Sequence, residues 1–153
     1  MNLQLTTTSA LQTEQVAEAI GRQLKGGEVI ELSSDLGGGK TTFVRGLARG
    51  FGSTDRVSSP TFTISKVYKH DNQEMHHFDF YRLQESGLIG YELEDVLSDP
   101  SNIIVVEWSD VVERVLPLER FKVQISVTEE MGRSLVLSFP DKLTYLVKKL
   151  KSI

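Results

Sequence analysis

One stretch limits the folds open to this chain: EVIELSSDLGGGKTTFVRGLARGFG, from Glu28 to Gly52. Glu28 to Leu32 reads as a short buried strand. Lys40 to Arg49 reads as a helix with Phe43, Val44, Leu47 and Ala48 turned inward, ended by Gly50 and Gly52. Between them stand Gly37, Gly38 and Gly39, then Lys40 and Thr41. A strand, a glycine loop and a helix in direct succession can wrap a polyphosphate. Backbone N–H groups must converge on the phosphate oxygens, and glycines put no side chain in their way. The helix beginning at Lys40 adds free N–H groups and the positive end of its dipole. Lys40 has the reach for β- and γ-phosphates, and the Thr41 hydroxyl can bind Mg²⁺.

The phosphate-loop pattern G-x-x-x-x-G-K-[ST] asks for glycine at position 34, where this chain has Ser34. If that position takes a positive φ, a non-glycine residue costs about 1–2 kcal/mol. Nucleotide binding can offset such a cost, and the hydroxyl can bond within the loop. The run Ser34, Asp35, Leu36, Gly37, Gly38, Gly39, Lys40, Thr41 and Thr42 is therefore the expected nucleotide-binding segment.

A phosphate loop that hydrolyses nucleotide also needs an acid at the end of a buried strand, to hold Mg²⁺ or to orient water. IIVVEW supplies Glu107 after four apolar residues, and HFDFYR supplies Asp79. Which of the two is the base is not legible. His77 and Asp79 share a strand face while His76 points the other way, so His77 suits a hydrogen-bonding role rather than a transition-metal site. Trp108 packs, or lies against the nucleotide or a partner. Ser58, Ser59 and Thr61, in RVSSPTF, sit where phosphate-loop switch proteins carry a mobile segment that senses the γ-phosphate.

Ser9 with Gln12 forms a capping-box pattern ahead of Val16, Ile20 and Leu24, predicting a helix stopped by Gly26-Gly27. Leu3 to Thr6 is a short strand. Thr61 to Lys69, with Phe62 and Ile64 buried and Val67 a further candidate, and Glu74 to Tyr81 form a hairpin around Asp71-Asn72. Gln84 to Pro100 holds at most a short helix. Ile103 to Val106 is a fully buried strand, and Ser109 caps a short helix before Pro117. Phe121 to Val127 and Arg133 to Phe139 form a second hairpin around Met131-Gly132. Asp141 caps a last helix, about 141–151, with Leu143, Leu146, Val147 and Leu150 apolar. The sum is an α/β fold, a P-loop NTPase-like single domain over residues 1–153. Its sheet is mixed, parallel near the loop and antiparallel toward the C-terminus, and helices flank it.

The composition agrees. The length of 153 residues suits one core, and 39% hydrophobic with 25% charged residues is an ordinary globular balance. The chain lacks cysteine, which excludes disulfides and cysteine-based zinc sites. The N-terminal stretch has no basic and apolar pattern of a signal peptide, and no apolar run approaches membrane-spanning length. A net charge of −4 argues against coating a nucleic-acid backbone. A basic patch along Lys142, Lys148, Lys149 and Lys151 is the local exception.

Taken in order, DLGGGKTTFVRGLARGFG, VSSPTF, HFDFYRL, Glu94-Asp95 and VVEW resemble the bacterial tRNA threonylcarbamoyladenosine biosynthesis ATPases, the TsaE (YjeE) family. The resemblance runs from about Ser9 to Phe139, and Gly132-Arg133 also fits. It implies a small cytoplasmic, Mg²⁺-dependent ATPase that acts on two partner proteins, TsaB and TsaD. That machinery installs threonylcarbamoyl on adenosine 37 of tRNA, and the ATPase resets it between turnovers rather than transferring the group. tRNA would be met only indirectly, through the complex. By position, Lys40 and Thr41 bind phosphate and Mg²⁺ with Thr42 beside them, Asp79 and Glu107 are the acids for Mg²⁺ and hydrolysis, and Trp108 lies at the site. The resemblance also favours ATP over GTP, as does the lack of an N-K-x-D guanine-reading element. Two departures stand out: Ser34 for the usual glycine, and Phe80 where leucine is frequent.

Two other readings compete. A small P-loop kinase needs clustered arginines in a lid, and here the arginines are scattered, with none from Leu83 to Pro100. A non-catalytic nucleotide-binding adaptor would treat Ser34 as decay, against which the Lys-Thr pair and both acids stand. The oligomeric state, a monomer among the possibilities, is left open.

Overall fold

A computed structural model describes residues 1–35, 37–85 and 87–150. Seven strands form one sheet: β1 (Asn2–Thr7), β2 (Val29–Ser33), β3 (Ser65–His70), β4 (Gln73–Asp79), β5 (Ile103–Glu107), β6 (Phe121–Val127) and β7 (Arg133–Ser138). Their order across the sheet is β1-β7-β6-β2-β5-β4-β3. The centre is parallel: β2 lies between β6 and β5, and β5 pairs in parallel with β4. Both edges are antiparallel, with β3 on β4 at one side and β6, β7 and β1 at the other. The mixed sheet is as expected, although the antiparallel pairing occupies both flanks.

Helices α1 (Ala10–Gly21) and α2 (Lys40–Phe51) cover one face. Val16, Ile20, Phe43, Val44 and Leu47 pack there on Ile30, Leu32, Val105 and Phe121. On the other face Val29, Phe78, Phe80, Ile104 and Val106 pack with Leu93 of α3 (Gly87–Ser98). Apolar residues on both sides explain why β5 is buried along its whole length. The parallel register carries the functional consequence. Asp79 ends β4 directly opposite Glu107, and Leu32, next to the last residue of β2, pairs with Glu107 on its other side. All three chain ends arrive where the glycine loop leaves β2.

Several boundaries differ from expectation. Ser9 does cap α1, accepting from the Gln12 amide at 3.2 Å. The helix nevertheless closes at Gly21, before Gly26-Gly27, through tight turns from Gln23 to Ile20 and from Leu24 to Gly21. Gly50 does not end α2. The helix runs to Phe51 and closes on Gly52 at φ 104°, because Gly50 faces α1 and its lack of a side chain admits Glu18 and Arg22. Phe62 and Val67 are 81% and 39% exposed rather than buried. The chain turns at Pro60, whose carbonyl accepts from Thr63 and Ile64, so β3 begins only at Ser65. The short helix expected in Gln84–Pro100 is the 12-residue α3, which the apolar second face recruits. The residue at the N-cap position of the 3-10 helix Ser109–Val112 is Trp108, not Ser109. The last helix is a 3-10 helix, Asp141–Val147, with Pro140 rather than Asp141 at its cap. Leu143, Leu146 and Leu150 are buried as expected, while Lys151 lies outside the described residues. Among the described residues no helix is long and apolar enough to cross a membrane.

Candidate functional site

The glycine loop is shaped by its own residues. Gly37 and Gly39 have φ of 74° and 108°, values that a side chain makes costly. The Gly38 amide donates to the Asp35 carbonyl at 2.9 Å, closing the turn. Gly39 occupies the N-cap of α2, and no side chain caps it among the described residues. The first N–H groups of α2 are therefore left for an anion. Arg133 at the start of β7 donates from Nε to the Gly38 carbonyl at 2.8 Å and braces the loop from behind.

Ser34 has ordinary backbone geometry. Among the described residues the non-glycine residues with positive φ are Ile64, Asp71, Trp108 and Met131. The strain expected for a serine at this position therefore does not arise. Its hydroxyl donates to the Asp35 carbonyl at 2.8 Å and accepts from Lys40 Nζ at 3.1 Å. Lys40 is 8% exposed, and its ammonium also sits 5.3 Å from the centre of the Trp108 ring.

A cavity of about 280 Å³ opens in front of the loop. Gly37 to Thr42 form one wall, Asp79, Glu107 and Trp108 another, and Ser59 and Thr61 the rim. The structure thus brings together the glycines, Lys40, Thr41, Thr42, both acids and Trp108. Ser34 and Asp35 act from behind, Ser34 through Lys40 and Asp35 through its carbonyl. Leu36 lies outside the described residues. A wider groove of about 700 Å³ continues from Thr41 and Ser59 along α2, but the glycines and both acids face the smaller cavity.

Both acids are buried; Asp79 has both oxygens bonded, and Glu107 has one. Asp79 accepts from the Tyr81 amide at 2.9 Å and from the Thr61 hydroxyl at 2.7 Å, and Thr61 also bonds Ser59 at 2.7 Å. Glu107 contacts His77 Nε2 at 2.8 Å. His77 Nδ1 lies 3.3 Å from the Tyr68 hydroxyl, which in turn donates to the Ser58 carbonyl at 3.3 Å. Burial pushes the Tyr68 phenol up to about 12, with the nearby Glu107 charge adding to the rise, so it keeps its proton near neutral pH. Two strained residues adjoin the acids. Trp108, next to Glu107, has φ 55°, and Ile64, whose carbonyl accepts from the Asp79 amide, has φ 69°.

The chemistry of this donor set suits one hard cation beside a polyphosphate. Among the described residues no group of three or more His, Asp or Glu side chains is arranged to hold a metal alone. Mg²⁺ does not need one: it keeps several waters and binds through one or two protein oxygens plus phosphate. Thr41, Asp79 and Glu107 offer such oxygens on one cavity. The sequence reading assigned no site role to Tyr68 or Arg133. Arg133 could have been suspected from its place in the family-like hairpin, but its reach across 95 positions to Gly38 is a tertiary fact.

Comparison with known proteins agrees with this architecture. The family model described as "Threonylcarbamoyl adenosine biosynthesis protein TsaE" matches residues 7–135, which contain every residue of the cavity. The tRNA threonylcarbamoyladenosine biosynthesis protein TsaE of Bacillus subtilis is 37% identical over 123 residues, 78% of this chain and 74% of that protein. The protein of the same name from Rickettsia bellii is 33% identical over 136 residues, 87% of this chain and 92% of its own. The crystal structure of Bacillus subtilis YdiB superposes with a TM-score of 0.80 at 30% identity, covering 99% of this chain and 95% of that one.

Proposed function

Since the chain belongs to the TsaE family of threonylcarbamoyl adenosine biosynthesis proteins, we propose that it is the ATP-hydrolysing subunit of that machinery. It acts in the cytoplasm on a TsaB–TsaD complex that modifies adenosine 37 of tRNA, and it meets tRNA through that complex. The observation that carries this reading is the shared cavity: the glycine loop with Lys40 and Thr41 faces both Asp79 and Glu107.

The roles follow from placement. The N–H groups at the start of α2 meet the phosphates, and Gly37 and Gly39 keep the approach clear of side chains, while the Gly38 amide holds the turn on the Asp35 carbonyl. Lys40 leaves Ser34 to meet the β- and γ-phosphate oxygens, and Thr42 lies beside the loop. Thr41, Asp79 and Glu107 are the residues that would hold Mg²⁺. Bound Mg²⁺ supplies charge neutralisation as the γ-phosphoryl departs. One of the two acids orients the attacking water, and Trp108 closes the wall against bulk solvent.

Turnover measured with and without purified TsaB–TsaD tests the proposal. The expected result is weak hydrolysis alone and clear stimulation by the partners; equal rates in both would count strongly against it. Glu107→Ala should lose most hydrolysis. Lys40→Ala should abolish ATP binding together with tRNA modification. Modification surviving in that variant would instead indicate a non-catalytic adaptor, and phosphoryl transfer to a small acceptor would indicate a kinase.

A further inference from the structure

The loop Ser58–Thr61 is tied to both acids of the cavity by separate routes. One is direct, from the Thr61 hydroxyl to Asp79. The other is a buried chain from the Ser58 carbonyl through the Tyr68 hydroxyl and the His77 imidazole to Glu107. Tyr68 and His77 are 1% and 0% exposed, so neither can bind substrate or take part in the chemistry directly. Their polar atoms have no water to fall back on, and each needs its protein partner.

We propose that Tyr68 and His77 are a positioning pair that couples the 58–61 loop to Glu107. The inference rests on the hydrolytic reading above and assigns that site its control. Its physical basis is the proton count. The Tyr68 hydroxyl has one proton and two neighbours able to take it, the Ser58 carbonyl and His77 Nδ1, each at 3.3 Å. When it donates to Nδ1, the imidazole carries its proton on Nε2 and donates to the Glu107 carboxylate. When it donates to Ser58, Nδ1 loses that donor, and the ring is no longer locked in the orientation that aims Nε2 at Glu107. Moving the loop toward or away from Tyr68 therefore changes how firmly Glu107 is held. A nucleotide or partner that shifts the loop is read out at the acid without touching it.

Three measurements test this. Hydrogen exchange of the peptide covering residues 54–64 is followed in the nucleotide-free chain. ADP affinity is followed through the fluorescence of Trp108, the chain's one tryptophan. Turnover is followed with TsaB–TsaD. Tyr68→Phe keeps the ring and removes the hydroxyl. It should speed exchange in the loop peptide roughly fivefold, leave the β5 amides protected, lower kcat about tenfold, and keep KM and ADP affinity within about twofold. His77→Gln retains a donor near the Nε2 position and should keep more activity than His77→Leu. Unchanged loop exchange in Tyr68→Phe, or equal losses in the Gln and Leu variants, would overturn the pairing. If the wild type fails to hydrolyse ATP even with its partners, the hydrolytic reading falls, and the exchange result alone still decides whether the pair couples loop and acid.

Discussion

Position 34 shows how a residue that breaks a motif can still fit it. The usual glycine is replaced by a serine whose backbone needs no positive φ and whose hydroxyl steadies both the turn and Lys40. Ser34→Gly should therefore change ATP turnover by less than about tenfold. Gly38 is the less forgiving position. A Cβ there would meet the Ser34 hydroxyl, would lie 2.7 Å from Ser34 Cβ and 2.9 Å from the Asp35 carbonyl. Gly38→Ala should weaken nucleotide binding by at least about fivefold, an overpacking cost of about 1–3 kcal/mol. Two of those three contacts belong to the Ser34 side chain, so Ser34→Gly should partly rescue Gly38→Ala. A double-mutant cycle in nucleotide titrations checks this, and strict additivity would refute it.

The pairing of α1 with α2 holds the phosphate loop's helix in place. The two helices meet through backbone. A Cβ on Gly46 would lie 2.9 Å from Ala17 Cβ, and one on Gly50 would lie 2.9 Å from the Arg22 amide. Neither backbone can yield easily, so Gly50→Ala should destabilise the fold by about 1–3 kcal/mol in chemical denaturation despite alanine's better helix propensity. Over the crossing, Glu14 bonds Arg45 and Arg49, and Glu18 bonds Arg49 and Arg22. For Glu14, burial raises the carboxyl pKa, but the two arginines together outweigh it. For Glu18, Arg49 is the main cause of the lowering. Both carboxylates titrate lower when folded than when unfolded. Their contribution is present above about pH 4.5, the ordinary value, and is lost as pH falls through the lowered values. Glu18→Gln should flatten the acid limb of a stability–pH curve by lowering stability above about pH 4.5 and leaving it unchanged at low pH, and the loss should be small because Arg49 is about half exposed and Arg22 more so.

For the molecule as a whole, charge separates partner binding from RNA binding. The net charge is −4. Of the basic tail, Lys142 is paired with Glu119 at 2.6 Å, while Lys148 and Lys149 are exposed. The isolated chain should show no measurable affinity for tRNA near physiological salt in a filter-binding assay. Tight, salt-dependent binding would mean direct contact with tRNA.

The local code was readable because its physics is local. Three adjacent glycines between an apolar strand and an amphipathic helix determine a phosphate loop, and alternation and turn residues located the strands. An acid after an apolar run marked Glu107, and the need of a phosphate loop for such an acid, together with the family resemblance, put it and Asp79 at one site. What stayed hidden depended on neighbours far along the chain. Gly50 reads as a helix stop but serves as a helix contact, because α1 needs the space. Phe62 reads as core but is exposed, because Pro60 turns the chain first. Tyr68 and Arg133 reach the site only once β3 and β7 are in register, and His77, read from the sequence as a hydrogen-bonding residue, finds its partner Glu107 only through the pairing of β4 with β5. Sequence by itself determined which groups this protein has for the chemistry, since glycine, lysine and carboxylate follow from residue type and local pattern. Only the tertiary structure decided what holds them, because a hydrogen bond across a sheet depends on strand order and register, which no short stretch of chain encodes.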